Sequence, residues 1–289
     1  MRGAPRPGAP SSVAEAVSAE GGRVTFARFM EIALTHPTLG YYSRVDRLLS
    51  HRGDFSTAPA LSPFFNRTVA KLVTELVDAA LAALAAIRAG GAAPGAMERV
   101  QAEVPSGRPC VVELGGGEGH LAESILRFWE SERPDLRGTI GYRIVEVGEH
   151  LRQRQAAAVD RFAVAGWEVG WGGDLEEACM GAWPAVIVGN EFLDALPVHL
   201  VDVGGTLIRE AYVTADHADL VGTWGDLSDA AAGEIGLLFG TLDPRRLEVF
   251  TVDGILEVCP SLNDLMRRVA GAMPSGSFVS IDYGEWFPG

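Results

Sequence analysis

A glycine-rich segment preceded by a carboxylate offers the clearest binding chemistry in the chain. Glu113 stands two residues before Gly115, and Gly117 and Gly119 follow at alternate positions, where a predicted strand gives way to a predicted helix. Glycines let the backbone approach a ligand closely, and a helix start supplies N–H groups without intrahelical partners. The segment is therefore predicted to bind a nucleotide-type cofactor. The alternative is a glycine-rich turn without a ligand.

The spacing of this segment separates cofactor classes. A dinucleotide fingerprint starting at Gly115 needs glycine at position 120, where His120 stands, and a P-loop needs a Gly-Lys pair that is absent. The pattern E-x-G-x-G-x-G instead matches the first motif of S-adenosylmethionine-dependent methyltransferases, whose acid lies near the ammonium group of the cofactor. S-adenosyl-L-methionine is therefore the predicted cofactor, and NAD is not expected to bind.

Two further acids are predicted at the ends of the next two strands. Glu146 is placed where an acid can accept both ribose hydroxyls of an adenosine, and Asp174 where the adenine amino group can be received. The spacing from Glu113 to Glu146 exceeds the usual figure of about 20 residues, and an extra loop accounts for the difference. Each acid taken alone is more often a solvated helix cap, whereas the ordered series with the glycine loop favours the binding role.

The segment GNEFLDALP follows the fourth predicted strand. It lies at the carboxyl edge of the sheet, where open α/β sheets bind ligands. Asn190, Glu191 and Asp194 are costly to bury there without partners, which indicates a binding site. The alternative is that Asp194 caps a short helix and Asn190 closes a turn.

Two long helices are predicted in the first third of the chain. The first has Thr25 as its N-cap and ends at His36-Pro37. The second opens at Ser62-Pro63, a cap followed by proline at the first helical position, and ends near Arg88.

Short apolar strands then alternate with helices, which predicts an α/β fold with a parallel sheet covered on both faces. Strands are predicted at 111–114, 142–147, 167–171, 185–188 and 278–281, and helices at 121–129 and 151–162. Hairpins at 198–203, 207–213 and 247–251, around a glycine-rich helix, are predicted to form an insertion. The predicted organisation is a flexible tail (1–22), a helical cap and lid (23–105) with a linker (89–96), and a catalytic domain (106–289) with a β-rich insertion (198–258).

Composition limits the function classes. The 289 residues carry 38 acidic and 24 basic side chains, a net charge of −14, which argues against nucleic acid or an anionic membrane as partner. The three cysteines, Cys110, Cys179 and Cys259, form no CxxC pair, so neither a disulfide framework nor a metal site is predicted. No apolar run reaches the length of a membrane span, and the first 22 residues lack the apolar region of a secretory signal.

Six segments in order along the chain resemble the motifs of the MidA-type protein arginine methyltransferases. They are TFARFMEIALTHPTLGYYS, RGDFSTAP, VVELGGGEGHLAESIL, YRIVEV, GNEFLDALPV and SIDYG, and they run from Thr25 to Gly284. The resemblance implies a Rossmann-like class I methyltransferase fold, S-adenosylmethionine as methyl donor and a protein arginine as acceptor. A mitochondrial member of that family supports assembly of respiratory complex I.

The resemblance also implies roles for individual residues. The residues implied to form a lid near the cofactor are Gly53, Asp54, Thr57 and Pro59. Glu191 and Asp194 are the carboxylates predicted to hold the arginine guanidinium, with Asp54 closing from the lid, because carboxylates match its fork in a bidentate way. The chain departs from the family at Ala60, where Glu is usual, and at Asn66, where glycine is common.

Family members usually continue well beyond the D-Y-G strand, whereas this chain ends five residues after Gly284. A seven-stranded sheet would then lack two strands. The chain is a fragment, or the hairpins of the insertion replace those strands, or a partner such as a second copy covers the edge. We expect a homodimer.

Two other functions are compatible with the sequence. One is a methyltransferase acting on a small molecule, and the other is a non-catalytic assembly factor that binds the cofactor and a partner without turnover. A cytoplasmic location is expected, or the mitochondrial matrix if the source is a eukaryote.

Overall fold

Ten strands and nine α-helices form over the residues that the computed structural model describes, which are 10–43, 62–89, 107–240, 243–273 and 275–283. The strands are β1 (Arg23–Thr25), β2 (Arg108–Leu114), β3 (Gly141–Val145), β4 (Glu168–Gly172), β5 (Ala182–Asn190), β6 (His199–Asp202), β7 (Arg209–Asp216), β8 (Asp219–Gly225), β9 (Ile255–Val258) and β10 (Ser277–Ile281). The helices are α1 (Val13–Ala19), α2 (Phe26–Thr35), α3 (Pro63–Arg88), α4 (His120–Glu132), α5 (Glu149–Val164), α6 (Leu175–Ala178), α7 (Asp229–Phe239), α8 (Pro244–Leu247) and α9 (Pro260–Ala272).

The chain divides into two units, one of residues 1–53 and 195–264 and the other of residues 54–194 and 265–289. The second unit contains a five-stranded parallel sheet in the order β10-β5-β2-β3-β4. This confirms the predicted parallel α/β sheet, and all five of its strands coincide with predicted ones.

Both faces of the parallel sheet are covered, because successive strand residues point to opposite sides. Val111 packs in a cluster with side chains of α3, α4 and α5, whereas the next residue, Val112, packs with α6 and with Val269 of α9. All three of these valines are buried. The fully apolar strands predicted from the sequence are thus explained by burial on two faces.

The caps predicted for the two long helices are confirmed. The hydroxyl of Thr25 accepts a hydrogen bond from the Arg28 N–H at the start of α2. Ser62 does the same for the Phe65 N–H at the start of α3, where proline occupies the first turn. None of the helices in the described part of the chain is both long enough and apolar enough to cross a membrane.

The other unit holds an antiparallel sheet in which β7 pairs with β1, β6 and β8, and β9 pairs with β6. Val17 of α1 and Ile32 of α2 pack with Val213 of β7, and Ile235 of α7 packs with Val201 of β6. The predicted insertion therefore forms a sheet together with the N-terminal strand β1. The hypothesis that its hairpins replace the last two strands of the parallel sheet is wrong for the described residues.

Several local predictions differ from the structure. Within the predicted tail, residues 13–19 form α1, which Ser12 caps by accepting the Glu15 N–H, and Val17 is fully buried. Residues 247–251 are not a strand, because α8 ends there and a short 3-10 helix follows; the strand is β9 instead. The strand β8 was not predicted.

The predicted helical cap over residues 23–105 is also divided differently. Its first part, with β1 and α2, belongs to the unit of the antiparallel sheet, whereas α3 belongs to the unit of the parallel sheet. Buried Val73 and Val77 of α3 pack in the cluster that contains Trp129 of α4. A buried hydrogen bond of 2.9 Å from Trp129 Nε1 to Thr74 Oγ1 links the two helices.

Candidate functional site

The glycine loop between β2 and α4 is open on one side. Gly115, Gly117 and Gly119 have φ angles of +65°, +50° and +89°, a region that favours glycine. A Cβ atom at Gly115 would lie 2.8 Å from Phe192 Cδ2, whereas one at Gly117 would meet none of the described atoms within 4 Å. Gly119 is the N-cap of α4 and supplies no side-chain cap. The loop therefore leaves room for a ligand at Gly117, and cofactor binding by these glycines stays a prediction.

Glu113 is buried beneath this loop. Its Oε2 accepts a hydrogen bond of 2.8 Å from the hydroxyl of Tyr142, and only 3% of the residue is exposed. Burial raises the pKa of the Glu113 carboxyl to about 7, against the lowering effect of the Tyr142 hydrogen bond, and the nearby Glu146 raises it further. A cationic group placed here would stabilise the ionised carboxylate. That electrostatic need suits the predicted role beside an ammonium group.

Glu146 lies immediately after β3 and is 7% exposed. Its Oε1 accepts the Gly148 N–H at 2.7 Å, and its Oε2 accepts Gln155 Nε2 at 3.1 Å. Burial raises the pKa of the Glu146 carboxyl, and these two hydrogen bonds act in the opposite direction. A carboxylate can accept about four hydrogen bonds, so lone pairs remain for two ribose hydroxyls. Ribose binding by Glu146 stays a prediction.

Asp174 is a helix cap, which is the alternative to adenine binding predicted for it. Its Oδ1 accepts the Glu177 N–H at 2.8 Å as the N-cap of α6, and the side chain is exposed. Its Oδ2 lies 3.9 Å from the guanidinium of Arg268. Contact of Asp174 with an adenine amino group stays a prediction.

The end of β5 brings Asn190 and Glu191 to the carboxyl edge of the sheet. Asn190 pairs with Ile281 of β10, and its buried Oδ1 has no hydrogen-bond partner among the described residues. Glu191 has a φ of +48°, which is unusual for a residue with a side chain, and its N–H donates to the Ile281 carbonyl at 2.7 Å. Strained backbone of this kind concentrates at functional sites.

Asp194 neither caps a helix nor lies alone. Its Oδ2 accepts a hydrogen bond of 2.8 Å from the hydroxyl of Tyr283. The neighbouring Asp282 holds the same segment, because its Oδ2 accepts the N–H groups of Leu193 and Asp194, both at 3.2 Å. The alternative that Asp194 caps a short helix and Asn190 closes a turn is thus wrong. Residues 191–198 contain no helix, and Asn190 belongs to β5.

Five residues of the site were not predicted: Tyr142, Gln155, Phe192, Asp282 and Tyr283. The segment SIDYG carried a signal for the last two, because Asp282 directly follows β10 as Glu146 follows β3. A signal for Gln155 also exists, since it is a polar residue on the buried face of α5 that Leu151, Val159 and Phe162 otherwise form.

The structure brings together the predicted Glu113, the glycine loop and Glu146 on one side, and Asn190, Glu191 and Asp194 on the other. Phe192 joins the two groups, because its ring lies against Gly115 and its Cβ against Gly189. The predicted lid residues Gly53, Asp54, Thr57 and Pro59 lie outside the described residues.

These features fit S-adenosylmethionine. The open loop face at Gly117 leaves room for a ligand. The buried carboxyl of Glu113 is suited to a cation, and the buried Asn190 Oδ1 has no partner in the described chain, so both favour a ligand with donor groups.

A model of the protein family described as "Putative S-adenosyl-L-methionine-dependent methyltransferase" matches residues 96–287. The match contains the whole parallel sheet and every site residue in the described chain.

Relatives and solved structures agree with the family. The mitochondrial protein arginine methyltransferase NDUFAF7 of Danio rerio is 27% identical over 91% of this chain and 59% of its own length. The Drosophila melanogaster homologue of that protein, also named mitochondrial, is 27% identical over 68% of this chain and 43% of its own length. A crystal structure from Burkholderia thailandensis bound to S-adenosyl-homocysteine has a TM-score of 0.67 and 27% identity, covering 94% of this chain and 62% of that one. The chain thus spans about three-fifths of the length of the first relative and of this structure.

Proposed function

The chain belongs to this family of S-adenosyl-L-methionine-dependent methyltransferases, and on that premise we propose that it methylates an arginine side chain of a protein. The relatives named protein arginine methyltransferases support this acceptor. The net charge of −14 favours encounter with a basic target.

The observation that carries the proposal is the group of carboxylates at the adjoining ends of β5 and β10. Glu191, Asp194 and Asp282 lie on two short segments that hydrogen bonds join directly. A guanidinium needs carboxylates to replace its hydration, and its planar fork fits them in a bidentate way. A neutral acceptor does not need this negative charge, and a lysine ammonium, which is a point charge, does not need a bidentate fit.

The cofactor would be held by the residues on the other side of Phe192. We propose Glu113 for the ammonium group, Glu146 for the ribose hydroxyls, and Asn190 Oδ1 for a donor group of the ligand. The protein backbone at Gly115, Gly117 and Gly119 would approach the cofactor closely. Asp174 would face the adenine. When bound, S-adenosylmethionine supplies an electrophilic methyl group on a positively charged sulfur.

Glu191 and Asp194 would act by orientation. They would accept hydrogen bonds from the guanidinium and so aim one of its nitrogens along the line of transfer, which contributes more to such reactions than acid–base power. Tyr283 fixes one carboxylate for this purpose, because its hydroxyl holds Asp194 Oδ2. The predicted lid residues Gly53, Asp54, Thr57 and Pro59 would close the site.

Two measurements test the proposal. Calorimetry with S-adenosyl-homocysteine comes first and should show saturable binding. Basic peptides bearing arginine, and matched peptides with lysine at each arginine position, are then incubated with an isotope-labelled methyl donor and analysed by mass spectrometry. We expect label on arginine peptides alone.

Other outcomes point elsewhere. Label on small metabolites but on no peptide indicates a small-molecule methyltransferase. Cofactor binding without transfer to any acceptor indicates an assembly factor. Either result contradicts arginine methylation, and absence of binding contradicts the cofactor as well.

A further inference from the structure

Gln155 of α5 is a fully buried amide in the middle of the proposed cofactor site. Its Nε2 donates to the Gly117 carbonyl at 2.9 Å and to Glu146 Oε2 at 3.1 Å. Its Oε1 accepts Trp171 Nε1 at 2.9 Å. One side chain therefore contacts the loop after β2, the residue after β3 and the strand β4.

The orientation of this amide is determined by its neighbours. Trp171 has an indole N–H, which can only donate, so the amide oxygen must face it. The amide NH₂ then faces two acceptors, the Gly117 carbonyl and the Glu146 carboxylate. With the opposite orientation, the amide oxygen would face the Gly117 carbonyl and the Glu146 carboxylate, and the amide NH₂ would face the indole N–H of Trp171. All three hydrogen bonds would be lost.

The glycine loop packs directly on Gln155. A Cβ atom at Gly116 would lie 3.2 Å from Gln155 Nε2 and 2.7 Å from Ile144 Cγ2. A Cβ atom at Gly119 would lie 3.1 Å from Gln155 Cα. Gln155 thus supports the loop from the side opposite the open face at Gly117.

We propose that Gln155 is a positioning residue for the cofactor, which holds the glycine loop and the Glu146 carboxylate in one arrangement while Trp171 sets its orientation. This inference rests on the proposed function, because it concerns the same cofactor site. Gln155 acts through Gly117 and Glu146, so its loss should weaken binding without removing a contact to the ligand.

The ionisation of Glu146 supplies a specific readout. Burial raises the pKa of this carboxyl, and the Gln155 hydrogen bond lowers it. Charged groups beside it are Arg152, whose Nε donates to the Glu146 carbonyl at 2.7 Å, and the carboxyl of Glu113. Loss of Gln155 should therefore raise the pKa of Glu146. As the pH is lowered, the affinity for the ligand should then begin to fall at a higher pH than in the wild type.

The test compares Gln155→Met with the wild type and with Gln153→Met, an exposed glutamine on the same helix. The affinity for S-adenosyl-homocysteine is measured by calorimetry at pH 6 and pH 8. We expect Gln155→Met to weaken binding about tenfold or more at pH 8, the effect of losing a hydrogen bond to a charged group. The loss should be larger at pH 6, and Gln153→Met should match the wild type. Glu113 is unchanged in all three proteins, so the ratio of affinities reports on Glu146.

Trp171→Phe provides a second variant that keeps an aromatic side chain and removes the indole N–H donor. It should weaken binding less than Gln155→Met, because the amide keeps both of its acceptors. Thermal unfolding of the ligand-free proteins shows whether each variant is folded.

The inference is overturned if folded Gln155→Met binds with wild-type affinity at both pH values. An equal loss at pH 6 and pH 8 also overturns it, since a merely structural role predicts that result. If Gln155→Met does not fold, Trp171→Phe decides, and wild-type affinity in that variant overturns the inference. Absence of binding by the wild-type protein would instead refute the proposed function.

Discussion

The hydroxyl of Tyr283 donates a hydrogen bond of 2.8 Å to Oδ2 of Asp194, joining residues 89 positions apart in the chain. The preceding residue, Asp282, accepts two backbone N–H groups of the same segment. The segment of residues 191–194 is therefore held by β10 as well as by β5. Carboxylates that must orient a substrate are better placed on such a support than on a free loop.

The first prediction concerns this pair. Tyr283→Phe removes the hydroxyl and keeps the ring, so Asp194 loses its donor. We expect the KM for an arginine peptide to rise several-fold, because the carboxylate is then less well oriented. Affinity for S-adenosyl-homocysteine and the midpoint of thermal unfolding should hardly change, since Tyr283 is 67% exposed. An unchanged KM would show that the Tyr283 hydroxyl does not contribute to acceptor binding.

The second prediction concerns ribose binding by Glu146. Glu146→Ala should weaken S-adenosylmethionine binding by about 1.5–3 kcal/mol, the usual contribution of hydrogen bonds to a charged group. Calorimetry measures the change, and Glu149→Ala, an exposed acid three residues away in the first turn of α5, is the matched control. Equal affinity of the two variants would remove Glu146 from the site.

The third prediction uses the ionisation of Glu113, whose pKa burial raises from its ordinary value of 4.5 to about 7. Binding of a ligand with an ammonium group should lower this pKa, so protons are released on binding near pH 7. The observed binding enthalpy should then depend on the ionisation enthalpy of the buffer, and this dependence should disappear in Glu113→Gln. Buffer-independent enthalpy in the wild type would contradict the assignment.

The same shift has a consequence for the stability of the ligand-free protein. A carboxyl with a raised folded-state pKa favours folding most when it is protonated, so its contribution is lost as the pH rises from about 4.5 through about 7. Glu113→Gln should therefore unfold with a smaller pH dependence than the wild type between these values. Chemical denaturation at pH 5 and pH 8 measures the difference.

The fourth prediction concerns catalysis by Glu191. Glu191→Gln keeps the shape and removes the charge that would hold the guanidinium. We expect methyl transfer to fall by about 100-fold or more, corresponding to about 3 kcal/mol in the transition state, with cofactor affinity nearly intact. Asp194→Asn should have a similar effect if both carboxylates hold the guanidinium. Transfer by Glu191→Gln at the wild-type rate would contradict this role, and joint loss of cofactor binding and fold would make Glu191 structural.

The fifth prediction concerns the edge of the parallel sheet. In the described part of the chain, β10 is bonded on one side only, and natural sheets avoid such exposed edges. We expect self-association in solution, weakened by Ser280→Lys on β10 and not by Ser131→Lys on α4, both at exposed serines. Light scattering that shows a stable monomer in the wild type would contradict it.

The sequence by itself determined the features that depend on neighbours along the chain. The caps at Thr25 and Ser62 act within one turn, so the starts of α2 and α3 followed from residue types alone. The apolar strands and the glycine spacing likewise follow from local composition. These local signals were sufficient to predict the parallel sheet and the family.

Only the tertiary structure decided which residues share a site. The contacts of Gln155 with Gly117 and Trp171, and of Asp282 with Leu193, join residues far apart in sequence. The assignment of β1 to the sheet of the insertion depends on pairing with β7, almost two hundred residues later. Local patterns indicate that a strand is present, whereas the strand with which it pairs depends on the burial and hydrogen bonding of the whole chain. That is why the spacing of the glycines could be read from the sequence, whereas the side chains that support the glycine loop could not.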